Sequence, residues 1–124
     1  MKRIMLSIVA VAWMFAPAAA RAQDPVKVDP KHYTVVFENE TVRVLRIHYG
    51  PGEKSVMHEH PDAVAVFLTD QKNKMTFPNG KSEMMSGKAG EVQMTPAGAH
   101  LPENAGDKPM ELILVELKGK PAAK

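Results

Sequence analysis

The residues best suited to chemistry are histidines in two places. His58-Glu59-His60 follows the turn Gly50-Pro51-Gly52, and His100 follows Pro96-Ala97-Gly98-Ala99 further on. In an extended chain residues i and i+2 point to the same face. His58 and His60 therefore project side by side, with Glu59 on the other face. Imidazole suits Zn, Cu, Fe and Ni. Three neutral imidazoles hold a divalent first-row ion and leave positions open for water or substrate. With no carboxylate among the ligands, such a site keeps the ion's positive charge and favours anionic ligands.

Three residues stand as possible supports. Asp62, two residues after His60, falls on the same face if the alternation continues through Pro61. Glu103 is either a general base beside the metal or a solvated loop carboxylate. Asn104 suits local backbone bonding. Of the two other histidines, His48 reads as an exposed strand-end residue, and His32 lies in the first strand with no evident partner. Met57, Met75, Met84, Met85, Met94 and Met110 are expected to fill the core. Soft thioethers favour Cu(I), but no M-x-M spacing supports that use.

These side chains need a scaffold, and the scaffold begins after residue 22. Lys2 and Arg3 precede an apolar run from Ile4 to Phe15, and Ala20-Arg21-Ala22 gives A-x-A. The pattern is that of a signal peptide, 1–22, removed before Gln23. The expected mature chain has 102 residues, with 13 basic against 14 acidic side chains, so the basic balance of the whole chain comes from the leader. That length supports one domain with one modest core. No basic cluster remains to argue for nucleic acid or for a membrane surface once the leader is gone. There is no cysteine, so an exported fold must rest on its core or on a metal. Export to the periplasm or the medium is the expectation.

Residues 23–31, with two prolines and alternating charge, read as a flexible N-terminal arm. From 32 to 118 nearly every segment is a short β-rich run between turn signals. His32 to Glu38 opens the series. Thr41 to Tyr49 alternates as Val42, Val44, then Ile47, Tyr49, a slip of phase that predicts a bulge at Leu45. Ala63 to Thr69 is a continuous apolar run of the kind buried on both faces. Pro78-Asn79-Gly80 between two short runs predicts a hairpin. Glu91 to Thr95 alternates, and Pro109 to Lys118 closes the domain, its β-branched Ile113 and Val115 favouring strand over helix. No helix is expected after the leader, and 119–124 is a polar tail. Eight or nine short strands with regular turns predict an all-β sandwich or barrel.

The spacing around the histidines narrows this further. Gly52, five residues, then His58-Glu59-His60 fits G-x5-H-x-H. Gly90, five residues, then Pro96-Ala97-Gly98 fits G-x5-P-x-G, and His100, three residues, then Asn104 fits H-x3-N. In this order the chain resembles the cupin family over residues 41–118. The resemblance implies a jelly-roll barrel, or double-stranded β-helix, with metal ligands at His58, His60 and His100. The family's usual glutamate has no counterpart, since Val64 and Ala65 occupy its positions, and the second motif is one residue short. The resemblance implies a divalent transition metal (Fe, Zn, Mn, Ni or Cu), a small-molecule ligand that is polar or anionic, and a homodimer paired through its sheets. An oxygenase or an isomerase fits such a fold. The alternative is a non-catalytic ligand-binding or structural barrel that has lost the metal.

Overall fold

A computed structural model describes residues 23–119. The expected leader and residues 120–124 of the expected tail lie outside them. After a single-turn helix α1 (Pro25–Val28) come nine strands: β1 (Tyr33–Glu38), β2 (Val42–Tyr49), β3 (His58–His60), β4 (Ala63–Phe67), β5 (Gln71–Thr76), β6 (Ser82–Gly87), β7 (Val92–Thr95), β8 (Gly98–Asn104) and β9 (Met110–Leu117). They form a five-stranded sheet in the order β1-β2-β9-β4-β7 and a four-stranded sheet in the order β3-β8-β5-β6. Every pairing between named strands is antiparallel. The domain is thus all-β, with two sheets face to face in a double-stranded β-helix.

The inner face of the five-stranded sheet supplies the core. Leu45, Ile47 and Tyr49 of β2, Ala63, Ala65 and Phe67 of β4, and Met110 and Leu114 of β9 are buried, with Tyr33 of β1. Their two-residue spacing follows from the strand period. The run in β4 is buried on one face only. Val64 and Val66 are half-buried on the outside, where Val64 pairs with Val115 and Val66 with Ile113. Antiparallel sheets commonly leave one face uncovered, so the expectation of two buried faces is corrected here.

The expected bulge is also displaced. Strand β2 keeps unbroken register with β9 from Val42–Leu117 to Tyr49–Met110. The irregularity falls in β1, between Val35 and Phe37. The inward set of β2 is Arg43, Leu45, Ile47, Tyr49, and an arginine at an inward position hid the alternation. The hairpin between β5 and β6 forms where expected. Gly80 N–H donates to Phe77 O at 2.9 Å, and Gly80 takes φ +81, a left-handed conformation that favours glycine.

Residues 23–31 are not a loose arm in the structure. Asp24 caps α1 by accepting from Val26 N–H at 3.0 Å. Pro25 and Asp29 are buried, and Gln23 bridges to His58 beside β3. The ion pair of Asp24 with Arg43 and the hydrogen bond from Ser55 to Asp29 hold the segment, and neither can be read from local composition.

Candidate metal centre

Strands β3 and β8 pair so that His58 lies opposite His100 and His60 opposite Gly98. This register keeps His100 on the site although its motif is one residue short. One ligand nitrogen from each of the three histidines falls within 4.8 Å of the others. The ring centroids are 4.8 Å apart for His58 and His60, 4.9 Å for His58 and His100, and 5.2 Å for His60 and His100.

Two of the rings are held from behind. His58 Nδ1 donates to Val56 O at 2.8 Å, and Ser55 Oγ lies 3.2 Å from the same nitrogen. Ser55 Oγ donates to Asp29 Oδ2 at 2.5 Å. His60 Nδ1 donates to Glu116 Oε2 at 2.7 Å. The other oxygen of Glu116 accepts from Arg43 Nε at 2.5 Å, and the Arg43 guanidinium makes two bonds to Asp24, of 2.7 and 3.0 Å. Bonds of this kind fix which imidazole nitrogen carries the proton and how the ring is turned. Both Nε2 atoms then present lone pairs, and they face each other at 3.1 Å. Two nitrogens each about 2.1 Å from one ion, at a right to tetrahedral angle, lie about 3.0–3.4 Å apart. A cation between the rings relieves the repulsion of the lone pairs. His100 Nε2 is buried and has no partner among the described residues. The donor set fits a divalent first-row ion.

Charge follows the same arrangement. Burial, with repulsion from His60 added, lowers His58 to a pKa of about 4. Burial lowers His100 to about 3, with further repulsion from His60 and His58. Both rings are therefore neutral at physiological pH, the form a metal needs. Glu116 is pushed up by burial, but its bonds from His60 and Arg43 outweigh that, and it lies below the usual carboxylate range. Its negative charge sits behind the His60 ring.

The other candidates fall elsewhere. Asp62 is exposed, and its Oδ1 accepts from Ala97 N–H at 2.7 Å, tying the turn before β8. Glu103 sits on the outward face of β8, opposite Lys74. Asn104 is buried, and its amide donates to Tyr49 O, Gly50 O and Lys108 O while its oxygen accepts from Gly106 N–H, a structural role. His48 is exposed on β2. His32 does have partners. Its ring nitrogens lie 2.8 Å from Asp29 and 3.2 Å from Glu53, and it stacks on Tyr49 at 4.2 Å. Glu116, Arg43, Asp29 and Ser55 are the contributors that sequence reasoning missed. Glu116 had one signal, a charged residue closing the inward series Met110, Leu112, Leu114.

Beside the histidines lies a cavity of about 440 Å³ between the sheets, lined in part by His60, His100, Tyr33 and Tyr49. Buried Tyr33 and Tyr49 share a hydrogen bond of 2.6 Å. The methionines are mostly cavity lining rather than core. Met75, Met85, Met94 and Met110 border the cavity, Met84, Met85 and Met94 are exposed, and Met110 alone of the six is in the core.

No protein-family model and no curated protein matches the chain. Solved structures do match. A cupin domain from Bordetella pertussis Tohama I superposes with a TM-score of 0.65 and 28% identity, covering 70% of this chain and 92% of that one. A Klebsiella pneumoniae protein with a double-stranded β-helix domain gives 0.56 and 21%, covering 84% and 83%. Oxalate decarboxylase from Bacillus subtilis, a protein with Mn(II) centres, gives 0.51 and 24%, covering 67% of this chain and 23% of the enzyme. At under 25% identity, the last two speak for the fold alone. With this strand order and these neighbours, the chain has the double-stranded β-helix fold and is similar to cupin domains of solved structure.

Proposed function

We propose that this cupin domain binds one divalent transition metal through His58, His60 and His100 and offers it to a small polar or anionic molecule in the adjoining cavity. The observation that carries the reading is the pair of Nε2 atoms facing each other at 3.1 Å while both Nδ1 atoms are engaged behind them. A bound metal would supply an electrophile that polarises an oxygen ligand. The chain's own part is to hold the three rings neutral and oriented and to shield them from bulk water. Three protein ligands leave coordination open for such a molecule. The Mn(II) centres of the oxalate decarboxylase neighbour support a divalent ion in this fold without choosing the element. The test is elemental analysis of the protein purified from its native compartment. One equivalent of a single transition metal is expected; none, together with no uptake on loading with Fe, Zn, Cu, Mn and Ni in turn, rejects the reading.

Export is the second part of the proposal and rests on Ala20-Arg21-Ala22 after a basic start and an apolar run. Intact-mass spectrometry should find a chain starting at Gln23, and a chain retaining Met1 rejects it. Pairing as a homodimer is supported by the outer face of the five-stranded sheet. There Val44, Val64, Val66, Ile113 and Val115 are half-buried side by side, next to exposed Val92. Sedimentation equilibrium reads the mass directly, and a monomer rejects this part alone.

A further inference from the structure

The far end of the cavity carries a second polar group with no assigned partner. Gln71 and Asn73 of β5 both line it and are nearly fully buried, at 3% and 8% exposure. Gln71 Oε1 and Asn73 Oδ1 are buried without a hydrogen-bond partner among the described residues. Gln71 cannot turn its oxygen away. Its Nε2 donates to Thr69 O at 2.8 Å and to Glu111 O at 3.0 Å, so the amide is fixed and Oε1 is an obligate acceptor. The Asn73 side chain makes no hydrogen bond among the described residues and is free to adjust. Strand register places these amides away from the metal centre. Asn73 pairs with Asn104, four residues along β8 from His100, which is about 13 Å at the strand rise. Between the two ends the wall is apolar, with Phe67, Met75, Phe77, Met85 and Leu112. Besides the histidines, Glu83 is the one charged side chain in the lining among the described residues, and there is no lysine or arginine. Glu83 lies opposite Met75, in the middle of the wall, so the amide end offers acceptors and has nothing to hold an anion.

We infer that the cavity takes an elongated ligand with a hydroxyl or N–H donor for Gln71 and Asn73, an apolar middle, and an oxygen directed to the histidines. The inference rests on the proposed metal site for its histidine end only. A hydroxyl that donates its one proton to Gln71 Oε1 can accept from the Asn73 amide once that side chain turns. An ether or ester in the same place leaves Gln71 Oε1 unpaired, and that difference sets the selectivity. The volume suits one such molecule.

The test is isothermal titration calorimetry of the full processed chain loaded with zinc. The probes are 4-hydroxybenzoate, 4-hydroxyphenylacetate and 3-(4-hydroxyphenyl)propionate, each against its O-methyl ether. At least one phenol should bind about tenfold more tightly than its ether, the scale of one well-made hydrogen bond. Asn73→Leu and Gln71→Leu should each bring that ratio towards one. Gln71→Leu also removes two bonds to backbone, so if it fails to fold, Asn73→Leu carries the comparison. Equal binding of every phenol and its ether, no binding of either, or a ratio untouched in Asn73→Leu overturns the inference. If the ratio persists for 4-ethylphenol over 4-ethylanisole while zinc leaves carboxylate affinity unchanged, donor recognition stands and the metal reading fails.

Discussion

The two sheets fill their inner faces with opposite chemistry. The five-stranded sheet presents Leu45, Ile47, Tyr49, Ala63, Ala65, Phe67, Met110 and Leu114, and nearly the whole buried apolar core belongs to it. Buried residues on the four-stranded sheet are His58, His60, Gln71, Asn73, Pro102 and Asn104, with half-buried His100 among them. Pro102 is the lone apolar residue in that group. The first sheet holds the fold by removing apolar surface from water. The second spends its burial on polar groups, which cost stability unless paired. The division fails at one place. Arg43 and Glu116 face inward from the five-stranded sheet, in register with each other, and Glu116 reaches His60. The stabilising sheet thereby contributes to the site's chemistry through that one ion pair.

Substitutions should separate the sheets, and the largest effect belongs to the core. Leu45→Ala, at a site with no exposed surface, should cost about 2–5 kcal/mol, read as a lower denaturation midpoint. If it melts like wild type, the core has been placed on the wrong sheet. Next comes the exception. Glu116→Gln removes the charge behind His60 and leaves Arg43 with Asp24 alone. Metal affinity should fall about 10–100-fold in competition titrations, and unchanged affinity would make Glu116 a packing residue. Asp29→Asn, which acts on His58 through Ser55, should lower affinity in the same direction by less, because Val56 O still holds the ring. The smallest effect is on the polar sheet. Asn73→Leu replaces an unpaired buried amide by an apolar group and should leave the melt equal to wild type or higher. A marked loss would show that Asn73 has a structural partner.

Acid should weaken the polar sheet first. In the metal-free protein, His58 and His100 lie below the ordinary imidazole range, at about 4 and about 3. Unfolded histidine titrates near ~6.5. Between these values the unfolded chain binds more protons, so stability is complete above about pH 6.5 and falls as pH drops towards about 4. Chemical denaturation of chelated protein across that window measures the slope. His100→Ala should flatten it, and a slope indifferent to both histidines contradicts the assignment.

Much of this was legible in the sequence because it is local. Strand and turn rhythm, the Asn79-Gly80 hairpin and the His58-Glu59-His60 spacing depend on neighbours a few residues apart. What was hidden depends on distant pairing. Residues 23–31 look loose by composition, but Asp24 is tied to Arg43 of β2, and Asp29 to Ser55 and His32. Arg43 disguised the inward phase of β2, so the bulge was expected one strand away from its place. The methionines read as core filler because hydropathy does not distinguish a packed interior from the wall of a cavity. The cavity itself is a space left between the two sheets and has no residue signature.

The central claim is that the three histidines act as one metal site. The most direct measurement is a thermal melt of metal-loaded wild type, His58→Ala, His60→Ala, His100→Ala and His48→Ala, each with and without chelator. Occupancy at about a hundredfold excess over Kd adds about 2.7 kcal/mol. In a domain this size each kcal/mol moves Tm by about 4–8 °C, so chelator should lower the wild-type Tm by about 10–20 °C. Each of the three site variants should lose most of that response, and His48→Ala, exposed on β2, should keep it. A wild-type melt that ignores chelator after every metal has been offered, or a response that survives His100→Ala intact, would contradict the account.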